Sequence, residues 1–261
     1  MIKKVEHQKI VDIAISAGNA IMEIYNSNDF NVEMKSDNSP LTEADKVSHY
    51  VIRRELLSLY PHIPILSEEG NSISYDIRKN WKQFWLIDPL DGTKEFIKKN
   101  GEFTVNIALI ENNEPVLGVI YAPSFNENSD YSEDFAGTLY FGSKEMGSFK
   151  RMPGGNIVKL PCVRNAKVIT AVRSRSHAAT EEERILKLYD VSKTILIGSS
   201  LKFCIVAEGK AQIYYRFGPT SEWDVAAGYA IAKYAGANIE GLTFNKVNLI
   251  NDTFLVINTR S

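Results

Sequence analysis

Two aspartates stand three residues apart in the segment Asp-Pro-Leu-Asp-Gly-Thr at positions 88–93, directly after an apolar run. Pro89 fixes φ at about −65° and lacks an amide donor, so the chain turns immediately after Asp88. Such a turn can direct both carboxylates at one point, with the Leu90 carbonyl between them as a third oxygen ligand. Mg²⁺ prefers hard oxygen ligands and completes its coordination with water and substrate phosphate. The segment therefore indicates a magnesium site, although Asp91 followed by glycine also fits an ordinary turn.

Other acids stand where strands end or helices begin. Glu68 and its neighbour Glu69 close a short apolar run, which also fits a solvated loop. Asp224 begins a helical pattern, where the helix dipole alone favours an acid. Asp45 follows Thr42 at the spacing of a capping box, and on the residues alone that structural role is the better interpretation.

The periodicity predicts elements that could position these acids. Apolar spacing in the first half indicates two helices, at 8–26 and 42–59, followed by short strands that suit an antiparallel meander. After about residue 160, strands and helices alternate, as in α/β proteins. We therefore predict an α/β chain, α+β in its first half, with an N-terminal unit at 1–155 that carries most of the acids and a C-terminal unit at 156–261 that carries Asp224, packed as one compact body.

Composition limits the classes of function. Thirty basic and 32 acidic residues give a formal net charge of −2, so nothing favours nucleic acid or an anionic membrane as a general partner. The two cysteines, Cys162 and Cys204, form no close-spaced metal or redox pair. Neither a signal peptide nor an apolar run of about 20 residues is present, which favours the cytoplasm and no integral membrane segment.

Three stretches together resemble the signatures of the inositol monophosphatase superfamily: Glu-Glu at 68–69, Trp-Leu-Ile-Asp-Pro-Leu-Asp-Gly-Thr at 85–93, and Trp-Asp-Val-Ala-Ala-Gly at 223–228. The match extends over essentially the whole chain. The resemblance implies a lithium-sensitive, Mg²⁺-dependent phosphomonoesterase with the layered α-β-α-β-α sandwich of this superfamily, which includes fructose-1,6-bisphosphatase.

Within the superfamily the chain resembles the 3′(2′),5′-bisphosphate nucleotidases. Inositol monophosphatases usually carry Asn where this chain has Lys94, and the stretches 35–45, 174–177, 198–204 and 215–220 support the nucleotidase branch. The resemblance implies hydrolysis of adenosine 3′,5′-bisphosphate (PAP) to AMP and phosphate in sulfur metabolism. It also implies action on 3′-phosphoadenosine 5′-phosphosulfate (PAPS), which would give adenosine 5′-phosphosulfate.

The resemblance also assigns roles to residues. Two or three Mg²⁺ ions would assist the attack of water, and four carboxylates that would otherwise repel a phosphate dianion would be neutralised by them. Asp45 and Thr93 would orient and activate the water, which overturns the preference for a purely capping Asp45. The metal ligands would be Glu68, Asp88, Leu90 through its carbonyl, Asp91 and Asp224. The substrate would contact Gly92, Thr93, Ser174, His177, Gly198, Ser199, Lys202 and Asp224.

Alternatives remain at this stage. The same chemistry could serve inositol monophosphate or a sugar bisphosphate, and a non-catalytic module could sense a phosphorylated nucleotide. For the second phosphate the available cations include Lys202, His177 and one of Arg173, Arg175 or Arg216, since Arg binds phosphate in a bidentate manner. A monomer and a homodimer both stay open, as does peripheral attachment to the cytoplasmic face of the inner membrane.

Overall fold

The computed structural model describes residues 5–27, 30–35, 40–125, 137–161, 168–175 and 180–258. Seven helices lie in these ranges, and the first two coincide closely with the helices predicted at 8–26 and 42–59. Their bounds are α1 His7–Ser27, α2 Glu43–Leu59, α3 Tyr75–Arg78, α4 Thr93–Ile97, α5 Thr180–Leu188, α6 Leu201–Glu208 and α7 Glu222–Tyr234.

A two-stranded ribbon and a seven-stranded sheet occupy the first part of the chain. In the large sheet β3 pairs parallel with β4, and every later pairing is antiparallel, as predicted for a meander. The order follows the sequence, β3-β4-β5-β6-β7-β8-β9. The strands are β1 Glu33–Met34, β2 Pro40–Leu41, β3 Ile65–Ser67, β4 Gln83–Asp91, β5 Thr104–Glu111, β6 Glu114–Ala122, β7 Thr138–Ser143, β8 Gly147–Arg151 and β9 Ile157–Lys159.

The second sheet has five strands in the order β11-β10-β12-β14-β13. Strands β11, β10 and β12 run parallel, as the strand-helix alternation predicts, and β14 and β13 add antiparallel at one side. Their bounds are β10 Thr170–Arg173, β11 Lys193–Leu196, β12 Ile213–Ser221, β13 Asn238–Glu240 and β14 Ile250–Ile257. Because β9 pairs with β8, the large sheet extends to Lys159, and the division into units at 1–155 and 156–261 stays a prediction.

Buried side chains divide the molecule into five layers. Helices α1 and α2 pack on one face of the large sheet through residues such as Ile10, Ile52 and Trp85. Helices α6 and α7 fill the space between the two sheets, and α5 covers the outer face of the second sheet with Leu186. Strand β4 alternates Phe84 toward one core and Trp85 toward the other, so both faces are buried and the run reads as continuously apolar. The layered α-β-α-β-α architecture is confirmed.

Helix α7 comes late in the chain but lies directly on the large sheet. A Cβ placed on Gly118 of β6 would meet the Ala227 carbonyl oxygen at 2.3 Å, so only glycine allows this approach. The Ser148 hydroxyl of β8 donates to the Ile231 carbonyl at 2.7 Å. Among the described residues, no helix is both long enough and apolar enough to cross a bilayer.

Candidate active site

Three carboxylates converge at the ends of three separate elements. Glu68 follows β3, Asp88 lies in the last part of β4, and Asp224 stands in the first turn of α7. One ligand oxygen from each lies within 4.8 Å of the other two. Asp88 is 1% exposed. A buried group of like charges is unfavourable unless a cation or proton neutralises it, so this cluster has the chemistry of a metal site.

The electrostatics of the loop at 88–93, hereafter the metal loop, support the same conclusion. Burial, followed by repulsion from Glu68 and Asp91, raises the pKa of Asp88 well above its usual value. Burial also raises the pKa of Asp91 to about 6, although Lys202 opposes the shift. Burial and the charge of Asp91 raise the pKa of Asp224. The basic groups of the protein therefore do not fully neutralise these carboxylates, and bound divalent cations would supply the missing positive charge.

Asp45 lies beside Thr93, the last residue of the metal loop, and the handling of water by this pair stays a prediction. Asp45 is 2% exposed. Its Oδ2 accepts from the Thr42 amide at 2.7 Å and the Thr42 hydroxyl at 2.6 Å, which is the capping role. Its Oδ1 lies 3.3 Å from the Thr93 hydroxyl. Each oxygen thus has a different neighbour, so the capping contact leaves Oδ1 directed at Thr93.

The Thr93 side chain does not cap α4. Gly92 occupies the N-cap position with φ of 92°, and Thr93 is the first helical residue. The Thr93 hydroxyl lies 3.3 Å from the Leu90 carbonyl oxygen as well as from Asp45. The hydroxyl is therefore directed at the Asp45 carboxylate and the Leu90 carbonyl, and not at the backbone amides of α4. The Leu90 carbonyl thus lies beside the Thr93 hydroxyl, and its part as a metal ligand stays a prediction.

Lys35 provides a cation at the outer side of the cluster. Its Nζ lies 2.7 Å from Glu68 Oε1 and also contacts Glu69. Partial burial opposes the charged form of Lys35, but the two glutamates raise its pKa. Lys35 therefore offsets part of the negative charge of Glu68, a predicted metal ligand.

The loop at 198–200 brings the second half of the chain against the metal loop. The Ser200 amide donates to Asp91 Oδ2 at 2.5 Å. Lys202, 8% exposed, donates from Nζ to the Ser199 carbonyl and lies near Asp91. Burial lowers the pKa of Lys202, and the Asp91 carboxylate opposes that shift. A cation is thus held in a mostly buried position next to an acid of the metal loop.

A cleft of about 160 Å³ opens over this junction. It is lined by six of the residues predicted to contact substrate: Gly92, Ser174, Gly198, Ser199, Lys202 and Asp224. The structure therefore brings together residues that are far apart in the sequence. His177, also predicted to contact substrate, lies outside the described residues, so its role stays a prediction.

The cleft also distinguishes among the three arginines considered for the second phosphate. Arg216 lines the cleft. Arg173 instead pairs with Glu182 at 2.9 Å and with Glu183. Arg175 pairs in a bidentate manner with Glu102, its Nη2 at 2.6 Å from Oε1. Arg216 is consequently the arginine placed to meet a ligand.

Several lining residues were not singled out from the sequence, among them Glu95, Tyr214 and Thr220. Glu102, Thr104 and Asn106 were missed as well, although the alternation of polar and apolar residues at 102–106 could have revealed them. Phe103 and Val105 face the helical core. The three polar side chains therefore share the opposite face, toward the 198–200 loop.

The chain is similar to several known proteins. Proteins named 3′(2′),5′-bisphosphate nucleotidase CysQ from Shigella flexneri and Escherichia coli K12 are each 47% identical over 232 residues, covering 88% of this chain and 88% of theirs. The crystal structure of CysQ from Bacteroides thetaiotaomicron, described as a bacterial member of the inositol monophosphatase family, aligns with a TM-score of 0.82 at 40% identity, covering 98% of this chain and 97% of its own. The profile of the inositol monophosphatase family matches residues 4–260, and the chain belongs to that family.

Proposed function

We propose that the chain is a Mg²⁺-dependent 3′(2′),5′-bisphosphate nucleotidase that hydrolyses PAP to AMP and phosphate. The observation that carries the proposal is the buried Asp88 grouped with Glu68 and Asp224 within 4.8 Å, beside a cleft lined by Lys202 and Arg216. An acidic cluster suits the metals, and adjacent cations suit a second phosphate. The names of the CysQ relatives support the nucleotide as substrate.

The donor set fits Mg²⁺. Every candidate ligand offers a hard oxygen, namely the carboxylates of Glu68, Asp88, Asp91 and Asp224 together with the Leu90 carbonyl. No nitrogen or sulfur ligand accompanies the acids in the cluster found among the described residues. When bound, Mg²⁺ ions would withdraw charge from the phosphoryl oxygens and lower the pKa of a coordinated water. We propose two or three ions.

Thr93 and Asp45 would hold and orient the attacking water. The Thr93 hydroxyl can donate its hydrogen to Asp45 Oδ1, 3.3 Å away, and its lone pairs then accept a hydrogen bond from water. Burial raises the pKa of Asp45. A carboxylate whose pKa lies closer to neutrality is a better proton acceptor at the working pH. The pair is thus suited to take the water's proton through the threonine hydroxyl.

Lys202 and Arg216 would bind the phosphate that is not cleaved. Lys202 is fixed by the Ser199 carbonyl and a largely buried environment, and Arg216 Nε lies 3.3 Å from the Thr220 hydroxyl. Arg216 pairs with Phe254 one residue before the β-bulge between Phe217 and Thr220, which redirects the end of β12 at the cleft. A substrate with one phosphate would not use these cations, which favours a bisphosphate over inositol monophosphate.

Phosphate release from PAP, PAPS, inositol 1-phosphate and fructose 1,6-bisphosphate, with Mg²⁺ and with EDTA, tests the proposal. We expect turnover of PAP that requires Mg²⁺ and is lost in Asp91→Asn. Asp76→Asn, at an acid that is 86% exposed, is the matched control. Turnover in EDTA, or full activity of Asp91→Asn, would refute the mechanism. Preference for inositol 1-phosphate or for fructose 1,6-bisphosphate would replace PAP as the proposed substrate. Nucleotide binding without turnover would indicate a sensing module.

The remaining proposals follow from the resemblance. We propose that the enzyme is cytoplasmic. We also propose that it is sensitive to lithium, and inhibition of PAP hydrolysis by Li⁺ is the direct test. Size-exclusion chromatography separates a monomer from a homodimer, and sedimentation with anionic vesicles tests peripheral membrane attachment.

A further inference from the structure

Glu102 lies between α4 and β5, outside the predicted set of site residues, and both of its carboxylate oxygens are in use. Oε1 accepts from Arg175 Nη2 at 2.6 Å. Oε2 accepts from Arg175 Nε at 2.7 Å and from the Gly198 amide at 2.8 Å. The residue is 8% exposed. One side chain just before β5 therefore holds two separate segments of the second half.

The 198–200 loop is fastened to the first half at three points. Gly198 binds Glu102, and the Ser200 amide binds Asp91. The Ser200 hydroxyl lies 2.7 Å from the Thr104 hydroxyl and 2.8 Å from Asn106 Oδ1. Glu102, just before β5, and Thr104 and Asn106 within β5 occupy every second position and therefore lie on one face. This face makes two of the three attachments, one to the Gly198 amide and one to the Ser200 hydroxyl.

The space around Gly198 is too small for a side chain. A Cβ on Gly198 would lie 2.9 Å from Glu95 Cγ and 3.2 Å from Glu102 Oε2. Ser199 adopts a positive φ of 49°. A non-glycine residue in this region is uncommon and persists only where its surroundings fix it. The Glu102 contact to Gly198 is the attachment immediately before that strained residue.

We propose that Glu102 is a positioning residue for nucleotide recognition, which sets the distance between the metal loop and the 198–200 loop and keeps Arg175 away from the substrate. Ser199 holds Lys202 through its carbonyl, so a shift of the loop would move the cation intended for the second phosphate. Ser174, the neighbour of Arg175, lines the same cleft. The carboxylate acts on the substrate only through these groups. This role rests on the proposed nucleotidase function.

The test compares Glu102→Ala, Glu102→Gln and Arg175→Ala on PAP and on p-nitrophenyl phosphate. The second substrate has one phosphate and requires the metal loop but not Lys202 or Arg216. We expect Glu102→Ala to raise KM for PAP about tenfold or more, since a charge-assisted hydrogen bond to the loop is lost. Its kcat/KM for p-nitrophenyl phosphate should stay within about twofold. Glu102→Gln keeps an oxygen for the Gly198 amide and should rescue most of the KM.

Arg175→Ala separates positioning from a simple ion pair. It leaves Glu102 bound to Gly198, so KM for PAP should rise less than in Glu102→Ala. A control for loss of any buried carboxylate is Glu208→Gln, which removes the partner of buried Lys150 at 3.1 Å and should lower stability without changing KM. If Glu102→Ala fails to fold, Glu102→Asp, which draws the oxygens back by one methylene, carries the same expectation.

Each outcome has a distinct meaning. An unchanged KM for PAP in Glu102→Ala, or equal losses on both substrates, overturns the positioning role and leaves the proposed function intact. A wild-type chain that hydrolyses p-nitrophenyl phosphate but neither hydrolyses nor binds PAP overturns the proposed function, and the positioning role with it.

Discussion

Replacing Asp91 by Asn should stabilise the metal-free protein at neutral pH while it abolishes activity. The folded state raises the pKa of Asp91 from 3.8 to about 6, mainly through burial. A carboxyl group with a raised folded pKa contributes its full stability below pH 3.8 and loses it as the pH rises through about 6. The loss amounts to about 3 kcal/mol above that range, since each tenfold change in proton affinity corresponds to about 1.36 kcal/mol.

Asn is close to the protonated acid in shape, keeps an oxygen for the Ser200 amide and carries no charge. The free energy of unfolding, measured by urea denaturation in EDTA, should therefore favour Asp91→Asn over wild type by up to about 3 kcal/mol at pH 7.5 and by little at pH 4. With saturating Mg²⁺ the order should reverse, because bound metal stabilises only the protein that holds it. A variant that is less stable than wild type in EDTA at pH 7.5 would refute the reasoning.

Three further predictions concern the water-handling pair, the buried network and the seat of α7. Thr93→Val should lower kcat for PAP by about 100-fold or more with little change in KM, because it removes the hydroxyl that faces Asp45. A kcat equal to that of the wild type in a steady-state assay would contradict this expectation. Tyr140→Phe removes a 2.6 Å hydrogen bond to buried Glu208 and should cost about 1.5–3 kcal/mol in urea denaturation, while kcat is retained. In Gly118→Ala the added methyl group would clash with the Ala227 carbonyl, which should lower the free energy of unfolding by about 1–3 kcal/mol. Because α7 carries Asp224, Mg²⁺ should also bind more weakly in a calorimetric titration. Unchanged Mg²⁺ affinity would show that α7 tolerates the shift.

The sequence was most informative where periodicity and motif agreed. The helices α1 and α2 differ from the predicted ranges 8–26 and 42–59 by at most one residue at either end. The metal loop was recognisable because proline, glycine and paired acids each restrict the backbone or the charge. The short elements α3 and β13 were not predicted, since three or four residues carry no measurable periodicity.

The grouping of acids and cations could not be derived from the residues alone. Glu68, Asp88 and Asp224 each fit an ordinary loop or helix start, and only tertiary packing brings them within 4.8 Å. Resemblance to a family supplied that grouping. It did not supply the pairing of Arg175 with Glu102, because that ion pair depends on how β10 and β5 approach each other. Choosing Arg216 from three candidates likewise required the structure.

The position of α7 has a consequence for how the protein acquires its metal. Glu68 and Asp88 belong to neighbouring strands that can pair early, whereas Asp224 arrives only when α7 docks on the large sheet, across most of the chain. Contacts of such high sequence separation carry a large loop-closure cost and form slowly. High affinity for Mg²⁺ should therefore appear late in refolding, after most secondary structure. Mg²⁺ binding would then indicate that the tertiary fold is complete. A chain that has paired its strands but has not docked α7 on the large sheet holds only part of the ligand set.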